Sequence, residues 1–390
     1  MAQISGHDDD FKKKVFQPFI STSLASPQMS FESMKRPVRV MTIVGARPQF
    51  IKAAMLSRAL MKKENCEEIM VHTGQHYDEE MSKVFFEEMG LPKPQVNLQI
   101  GSGQHGQQTG RMLEQLEKVM LDVSPDWVVV YGDTNSTLAG ALAAAKLHIP
   151  VAHVEAGLRS FNRKMPEEIN RILVDQISSI LFTPTQQADD HLKRENFDSL
   201  MVHRVGDVMF DAVRFFSSDL NRATFSVPQK PYVLATIHRA ENTDDVEKLR
   251  AIIEGLEDVA KELEVIWPVH PRTQSAMANA EIYPKVSTRS PVGYLEMLAL
   301  MKSAEIIVTD SGGVQKEAFF IGVPCVTVRT ETEWVELLEV GWNHLANPSD
   351  SSSIPNAIKK MLGVGKSLAS PNLYGDGNAA EKMADILINF

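Results

Sequence analysis

From Val38 onward, short apolar runs alternate with longer segments of helical spacing. The runs are continuous in valine and isoleucine, as in VRVMTIVG and WVVVYGD, and the segments between them repeat apolar residues with a helical period. Continuous apolar strands are typical of a parallel sheet that helices cover on both faces. The pattern therefore predicts an α/β fold built from doubly wound sheets.

A polar stretch, SSDLNRATFSVPQKP, interrupts this alternation, and strands and helices resume at YVLATIH. Because 390 residues exceed what one hydrophobic core usually holds, we predict two Rossmann-like domains that face a cleft. The N-terminal segment mixes acidic, basic and Ser/Pro-rich text without a period, and we expect it to be poorly ordered. The predicted extension, first domain, linker, second domain and final helix cover residues 1–37, 38–215, 216–230, 231–370 and 371–390.

The composition is acidic, with a formal net charge of -10 at pH 7. This charge argues against nucleic acid or an anionic membrane surface as a partner. Cys66 and Cys325 lie far apart among apolar residues, which indicates core thiols of a reducing compartment rather than a disulfide or a metal site. No apolar run in the sequence reaches the roughly 20 residues that a membrane helix needs. We therefore expect a cytoplasmic protein.

The segment GSGQHG, at residues 101–106, matches the glycine pattern of dinucleotide-binding loops. The preceding text, KPQVNLQI, is a poor strand, and the acid expected about 20 residues on after a second strand is missing. We interpret the segment as a glycine-rich loop that binds no nucleotide cofactor.

A second glycine loop, GARPQ, lies between the first predicted strand and the first helix. Gly45 permits a tight turn, Pro48 suits the first helical turn, and Arg47 would direct a cation into the cleft. A surface arginine in a tight turn explains the same residues.

The segment TDSGGVQKEA has the residues of a phosphate-binding helix start. Ser311, Gly312 and Gly313 would offer backbone N–H groups and the helix dipole to phosphate oxygens. Glu317, one turn into the helix, is placed to accept hydrogen bonds from ribose hydroxyls. A helix cap with a glycine turn is the structural alternative.

Two histidines, His238 and His270, follow predicted strands. A single histidine at a strand end is more often structural, but each of these has an arginine beside it, Arg239 or Arg272. This pairing favours an anionic ligand. We expect no metal, because the paired ligand spacing of common metal sites is absent from the sequence.

Acids follow two apolar strands and open one helix, at Asp133, Glu155 and Glu167. The carboxyl ends of parallel strands meet at one sheet edge, so we expect these side chains to converge. Three acids with a histidine suit acid–base chemistry at a sugar carbon, where one group takes a proton and others donate. Helix capping explains Asp133 and Glu167 when each is taken alone. The G-x-S-x-G motif of nucleophilic hydrolases is absent from the sequence.

Six motifs occur in order along the chain: GARPQFIK, YGDTNSTLAGALAA, HVEAGLRS, MPEEINR, HRAEN and TDSGGVQKEA. With them, the chain from Val38 to about Leu345 resembles the non-hydrolysing UDP-N-acetylglucosamine 2-epimerase family. The resemblance implies a glycosyltransferase B type fold whose final helix packs back on the first domain. It also implies a homodimer, a UDP-sugar substrate and no external cofactor.

The resemblance further implies the reaction and the residues that perform it. Such enzymes interconvert UDP-GlcNAc and UDP-ManNAc: they release UDP to leave 2-acetamidoglucal, and then add UDP back with C2 inverted. The catalytic residues carried over by motif are Asp133, Glu155, Glu167 and His238. The UDP-binding residues are Arg47, His270, Ser311, Gly312, Gly313 and Glu317.

Two features distinguish the chain within that family. Allosterically regulated bacterial members carry Gln-His-Arg-Glu where this chain has Gln75-His76-Tyr77-Asp78, so we do not expect activation by substrate. The segments FNRKMPEE and TETEWVE are similar to the branch that includes UDP-2,3-diacetamido-2,3-dideoxyglucuronate 2-epimerases. A carboxylate at C6 of the sugar would need a cation, and Arg163 or Lys164 could supply it. A solvated basic loop is the alternative.

Two other functions are compatible with parts of this sequence. A UDP-sugar glycosyltransferase of the same fold would use the same UDP-binding residues, but it has no clear need for the three acids. A non-catalytic nucleotide-sugar-binding protein would need neither the acids nor the histidine.

Overall fold

The computed structural model covers most of the chain. The described residues are 36–75, 90–220, 225, 227–362 and 371–390, without the side chains of Arg47 and Asp219. Within them the strands, β1 to β13 in chain order, are Val38–Val44, Cys66–His72, Val96–Asn97, Trp127–Tyr131, Val151–Val154, Ile180–Thr183, Val202–Arg204, Tyr232–Thr236, Glu264–Pro268, Ser287–Arg289, Ile306–Thr309, Cys325–Val328 and Asn343–Ala346. The helices, α1 to α14, are Arg47–Leu60, His105–Val123, Asn135–Lys146, Pro166–Ile177, Gln186–Arg194, Val208–Asp219, Ala240–Thr243, Val246–Val259, Pro271–Asn279, Tyr294–Ser303, Gly312–Ile321, Val335–Glu339, Ser353–Leu362 and Ala379–Asn389.

These described strands form two sheets in which each neighbouring pair is parallel. The first sheet has the order β3-β2-β1-β4-β5-β6-β7, and the second has the order β10-β9-β8-β11-β12-β13. We call the elements from β1 to α6 the first half and those from β8 to α13 the second half. The strand order reverses between β1 and β4 in the first half and between β8 and β11 in the second, and ligands of such sheets bind at these reversals.

The apolar runs of the sequence form the buried central strands of the two sheets. Every residue of β4 and of β8 is buried, since helices cover both faces of each sheet. This confirms the predicted α/β fold class with two doubly wound sheets. The pattern did not reveal β7 and β10, because each is a three-residue edge strand without a continuous apolar run.

Helix α6 joins the two halves. Its Phe210 ring lies 5.0 Å from the Phe320 ring of α11, and its Phe216 ring lies 5.8 Å from the Tyr294 ring of α10. The final helix, α14, packs on α1 and α6 of the first half and adds apolar side chains to the core there. The two halves are therefore in contact through α6 as well as across the cleft.

Residues Pro37–Phe390 form one compact unit, and the predicted domain boundaries stay predictions. The predicted N-terminal extension lies outside the described residues, apart from its last two positions, and so does part of the predicted linker. Three residues of the Gln75-His76-Tyr77-Asp78 comparison also lie outside them. Among the helices that the structure describes, each is too short or too polar to span a membrane.

The loop after β1 has no room for a side chain at Gly45. A β-carbon there would lie 2.1 Å from Ser136 Oγ and 2.2 Å from Thr73 Oγ1. We therefore expect Gly45→Ala to lower the free energy of unfolding by about 1–3 kcal/mol, because two loops must move apart. Urea denaturation followed by circular dichroism would measure this change.

Gly110 is a matched control, because it lies on α2 and a β-carbon there meets nothing within 4 Å. Gly110→Ala should raise the free energy of unfolding by about 0.5–1 kcal/mol through helix propensity. Equal changes in the two variants would contradict the packing that the structure gives to Gly45.

Candidate active site

A cleft of about 530 Å³ lies between the two halves, at the carboxyl ends of both sheets. The three predicted catalytic acids line it together with the residues at the start of α11. The lining residues on which the site depends are Lys52, Asp133, Glu155, Lys164, Glu167, Arg171, Arg239, Ser311, Gly312, Gly313, Lys316, Glu333 and Trp334. The structure thus brings six of the predicted site residues and one of the two proposed C6 contacts into one cavity.

Asp133 follows β4 and is fixed from two sides. Its carboxylate forms an ion pair with Arg171 of α4, and its backbone carbonyl accepts a hydrogen bond from Asn170 Nδ2 at 2.8 Å. The side chain is 30% exposed, towards the cleft. The guanidinium of Arg171 therefore holds the Asp133 carboxylate in place at the wall of the cleft.

The loop after β1 supports the Asp133 loop. Gln49 Oε1 accepts from the backbone N–H groups of Gly45 and Ala46, at 2.8 and 3.0 Å. Its amide nitrogen donates to the Tyr131 carbonyl, at 2.8 Å, and to Thr134 Oγ1, at 3.0 Å. One buried side chain therefore joins the two loops at the point where the strand order reverses.

Glu155 follows β5 in an unusual backbone conformation. Its φ is +73°, in the left-handed region that glycine normally occupies. The N–H groups of Glu155 and Ala156 both donate to the Phe182 carbonyl, at 3.1 and 3.0 Å. The strand therefore ends in a kink that turns Glu155 into the cleft, and such strain is characteristic of functional positions.

Two ammonium groups hold the carboxylate of Glu155. Lys52 of α1 pairs with Oε2, and Lys316 Nζ of α11 lies 2.8 Å from Oε1. Burial alone raises the pKa of Glu155, but Lys316 and Lys52 outweigh burial and hold it below its ordinary value. Glu155 is therefore a fixed negative charge at neutral pH.

A buried ion network supports the floor of the site. Asp175 accepts from His153 Nδ1 and from Arg159, each at 2.7 Å, and from the Gly157 N–H at 3.2 Å. His153 Nε2 lies 2.7 Å from the Gly132 carbonyl. His153 therefore contacts an acceptor with each of its two ring nitrogens. The network joins the segments that precede Asp133 and follow Glu155.

Two adjacent acids at the start of α4 have opposite environments. Glu168 is buried and accepts from Ser160 N, Ser160 Oγ and Phe161 N, each at 2.9 Å, and from Arg171 at 2.7 Å. Glu167 is exposed to the cleft and has no hydrogen bond or ion pair among the described residues. Glu168 therefore orders the loop, and Glu167 is available to a ligand.

The second half presents an ordered helix start. Asp310, fully buried, accepts from the backbone N–H groups of His238 and Arg239, at 3.0 and 2.9 Å, and from Asn242 Nδ2 at 3.0 Å. It thereby joins the loops after β8 and β11. Helix α11 begins at Gly312. Its first N–H groups have no partner within the helix, so they suit an anion.

Not every predicted residue lines the cleft. His238 Nδ1 lies 3.6 Å from Asp310 Oδ1, and the centres of the His238 and His270 rings lie 5.4 Å apart, with the rings tilted by 35°. His270 caps α9 and accepts from the Arg272 N–H at 3.2 Å. Glu317 is buried on α11. The roles predicted for these residues stay predictions.

Two further predictions concern basic residues. Arg163 is exposed and is not among the described residues that line the cleft, whereas the neighbouring Lys164 is. Of the proposed C6 contacts, the structure therefore favours Lys164. The side chain of Arg47 lies outside the described part of the structure.

Sequence reasoning missed the basic residues that neutralise the acids. Lys52, Arg171 and Lys316 lie within helices, where a lysine or arginine is usually on the solvent face. The motifs GARPQFIK, MPEEINR and TDSGGVQKEA contain all three, but helical spacing alone does not separate them from surface cations. Asp207, which pairs with Lys316 at 2.5 Å, was missed because it looks like an ordinary helix cap.

Glu168 should contribute to stability in a pH-dependent way. Burial raises its pKa, but the hydrogen bonds from Ser160 and Phe161 and the charge of Arg171 lower it below its ordinary value of about 4.5. The folded pKa is lower than the unfolded one, so the stabilisation is complete above about pH 4.5 and is lost as pH falls through the folded pKa. Glu168→Gln should therefore lower the free energy of unfolding by about 1–3 kcal/mol at pH 7, and by less at acidic pH.

The measurement is urea denaturation of wild type and variant at pH 7 and pH 4. Glu167→Gln is the matched control, since its side chain has no partner among the described residues, and its stability should stay within about 0.5 kcal/mol of wild type. A loss of stability in Glu167→Gln as large as that in Glu168→Gln would contradict the assignment.

Three comparisons with known proteins agree with this geometry. A model of the family described as UDP-N-acetylglucosamine 2-epimerase matches residues 58–388. The UDP-2,3-diacetamido-2,3-dideoxy-D-glucuronate 2-epimerase of Pseudomonas aeruginosa is 49% identical over 354 residues, which cover 90% of this chain and 99% of that protein. The UDP-N-acetylglucosamine 2-epimerase of Methanocaldococcus jannaschii is 46% identical over 365 residues, which cover 90% of this chain and 99% of that protein.

Solved structures agree as well. The crystal structure of Methanocaldococcus jannaschii UDP-GlcNAc 2-epimerase in complex with UDP-GlcNAc and UDP matches with a TM-score of 0.82 and 44% identity. The match covers 90% of this chain and 100% of that chain. The two facing sheets are therefore of the glycosyltransferase B type, and the resemblance found in the motifs is confirmed. The chain belongs to the UDP-N-acetylglucosamine 2-epimerase family.

Proposed function

We propose that this protein interconverts UDP-GlcNAc and UDP-ManNAc by inverting C2 of the sugar. The observation that carries the proposal is the cleft, where Asp133, Glu155 and Glu167 of the first half face the start of α11 in the second half. Elimination and re-addition of UDP require a site for the diphosphate on one side of the sugar and acidic groups on the other. The two sides of this cleft offer both. The relatives described above support the same reaction.

The α11 end of the cleft suits the diphosphate. The helix begins at Gly312, and Gly313 follows, so these two residues themselves place no side chain between phosphate oxygens and the backbone N–H groups. The carboxylate of Glu333 lies beside Gly312 on the same side of the cleft. Arg239 lines the same side of the cleft and adds a cation. Diphosphate held here is a good leaving group, since the N–H groups and the guanidinium stabilise the charge that develops on UDP.

The first chemical requirement is cleavage of the bond between C1 and the phosphate oxygen. The C2 proton is not acidic in the intact sugar, so this bond must break before or together with removal of the proton. Positive charge then develops at C1 and the ring oxygen. The carboxylates of Asp133 and Glu155, each held by ion pairs, lie on that side of the cleft and would stabilise this positive charge.

The second requirement is a group that exchanges a proton with C2. Among the three acids, Glu167 has no cation paired with it in the described residues, and it faces the cleft. We assign to it the removal of the C2 proton, which leaves 2-acetamidoglucal and UDP. In the return step a proton from solvent is added to the opposite face of C2 as the C1–O bond to UDP forms, and Glu167 releases the proton that it took to solvent, so atoms and charge balance over the cycle.

A second candidate substrate is UDP-2,3-diacetamido-2,3-dideoxyglucuronate. The observation that favours it is Lys164, which lines the cleft just before the helix that carries Glu167. An ammonium group there would pair with a carboxylate at C6 of the sugar. The relative from Pseudomonas aeruginosa described above is named for this substrate.

The remaining features of the proposal concern the setting of the enzyme. On the family resemblance, we propose a homodimer that works in the cytoplasm without an external cofactor. The product would serve the synthesis of a surface polysaccharide, in which UDP-ManNAc or its uronate counterpart is the donor.

The reaction predicts incorporation of solvent hydrogen at C2. Wild-type enzyme incubated with UDP-GlcNAc in D2O should produce a second anomeric NMR signal, with a single deuteron at C2 by mass spectrometry. Glu167→Gln should slow this exchange about 10²–10⁴-fold, because an amide cannot take the proton. Its affinity for UDP, measured by calorimetry, should stay close to that of wild type.

Glu117→Gln makes the same change on the exposed face of α2 and should exchange at the wild-type rate. Exchange by Glu167→Gln as fast as by the Glu117 control would remove Glu167 from the chemistry. Wild-type enzyme that exchanges neither UDP-GlcNAc nor the uronate substrate would contradict the proposed function.

The choice of substrate can be tested at Lys164. If the uronate is used, Lys164→Ala should lower kcat/KM for it about 10–100-fold, as expected for loss of a hydrogen bond between charged groups. The value for UDP-GlcNAc should change little, because that sugar has no charge at C6. Arg163→Ala, one residue away and outside the described lining of the cleft, is the matched control. An equal loss for both substrates would rule out a specific C6 contact.

A further inference from the structure

Lys316 is a buried cation whose place in the site could not be predicted from its motif. Its ammonium group contacts three other side chains. Its Nζ lies 2.8 Å from Glu155 Oε1 and 2.5 Å from Asp207 Oδ2, and it lies 4.1 Å from the centre of the Trp334 ring. The side chain is 2% exposed. Burying an ammonium group costs several kcal/mol unless its partners are close, so three partners define its position narrowly.

The ion pairs of Lys316 connect the second half of the molecule to the first. Glu155 follows β5, Asp207 caps α6, and Lys316 itself extends from α11. The same helix begins with Gly312, four residues earlier and about 6 Å along the helix axis. A ligand oxygen bound at the start of α11 and the carboxylate of Glu155 are therefore connected by one rigid turn of helix.

The charges in the network balance. Lys52 and Lys316 carry two positive charges, and Glu155 and Asp207 carry two negative charges. Burial lowers the pKa of Lys316, but Asp207 and Glu155 outweigh burial and raise it. Two further titratable groups are near: Glu336 of α12, which interacts with Lys316, and Tyr374, which interacts with Glu155. Removal of Lys316 alone would leave one buried carboxylate without a counter-charge.

We propose that Lys316 is a positioning residue that holds Glu155 ionised and aimed at the sugar, and that it makes this arrangement depend on the closed contact between the two halves. Lys52, on the same half as Glu155, cannot provide that dependence. The inference rests on the proposed function for its kinetic consequence, but the ionisation of Glu155 can be observed without turnover.

The test compares Asp207→Asn with the double variant Asp207→Asn/Lys316→Met. In Asp207→Asn, Lys316 still forms its ion pair with Glu155. In the double variant, one ammonium group and one carboxylate are both removed, so that the buried charges remain balanced. Relative to Asp207→Asn, the double variant should lose at least about 10-fold in kcat, as for loss of a charged hydrogen bond. The acid limb of its pH–rate profile should move to higher pH, because burial then meets a single opposing cation.

Three further measurements complete the test. Lys302→Met, at an exposed position of α10, should behave as wild type. A ¹³C-glutamate NMR titration, with the Glu155 signal assigned by Glu155→Gln, should give a midpoint below about 4.5 in wild type and a higher one in the double variant. Calorimetry should show UDP binding unchanged between Asp207→Asn and the double variant.

Superimposable pH–rate profiles and equal kcat for the single and double variants would overturn the proposal. So would an ordinary Glu155 midpoint in wild type, and this readout does not require a variant to fold. If wild type proves inactive on both UDP-sugars while the Glu155 midpoint responds to Lys316, the proposed function fails and the ionic role of Lys316 stands.

Discussion

The site depends on one carboxylate, Glu155, held between two ammonium groups from opposite halves of the molecule. Lys52 meets one oxygen and Lys316 meets the other. A buried carboxylate without partners would take up a proton, and a buried ammonium group would lose one. Each ammonium group opposes the cost of burying the carboxylate, and Lys316 is the one that comes from the second half. The unusual backbone conformation of Glu155 is accompanied by hydrogen bonds from the N–H groups of Glu155 and Ala156 to the Phe182 carbonyl.

The fold explains why these groups meet. In each half the strand order reverses once, and the loops that leave the reversal point face the other half. Gln49 joins the loops after β1 and β4, and Asp310 joins those after β8 and β11. At each reversal, one buried polar side chain thus joins the two loops through hydrogen bonds to backbone and side-chain groups. This arrangement orders both edges of the cleft without filling it.

Much of this could be predicted from the sequence, because continuous apolar strands and acids at strand ends are local features. Asp133 and Glu155 were identifiable from their place after apolar runs, and the start of α11 from its paired glycines. Lys52 and Lys316 were not, since a lysine in a helix normally faces water, and its partners lie more than a hundred residues away. The position of His238 after a strand predicted a role in the site; the structure places its ring beside Asp310 and His270, and the predicted role stays a prediction.

The contrast between Glu167 and Glu168 shows how the protein separates structure from chemistry. Adjacent residues at a helix start point in different directions, so one carboxylate turns inward to three donors of its own loop and an arginine, and the other turns to the cleft. The inward acid gains stability from its hydrogen bonds and has no proton to exchange at neutral pH. The outward acid has no such hydrogen bond among the described residues, and it faces the cleft. Under the proposed function, the outward acid exchanges the proton with the sugar because no cation or donor of the described residues holds it, whereas ion pairs hold Asp133 and Glu155 in place.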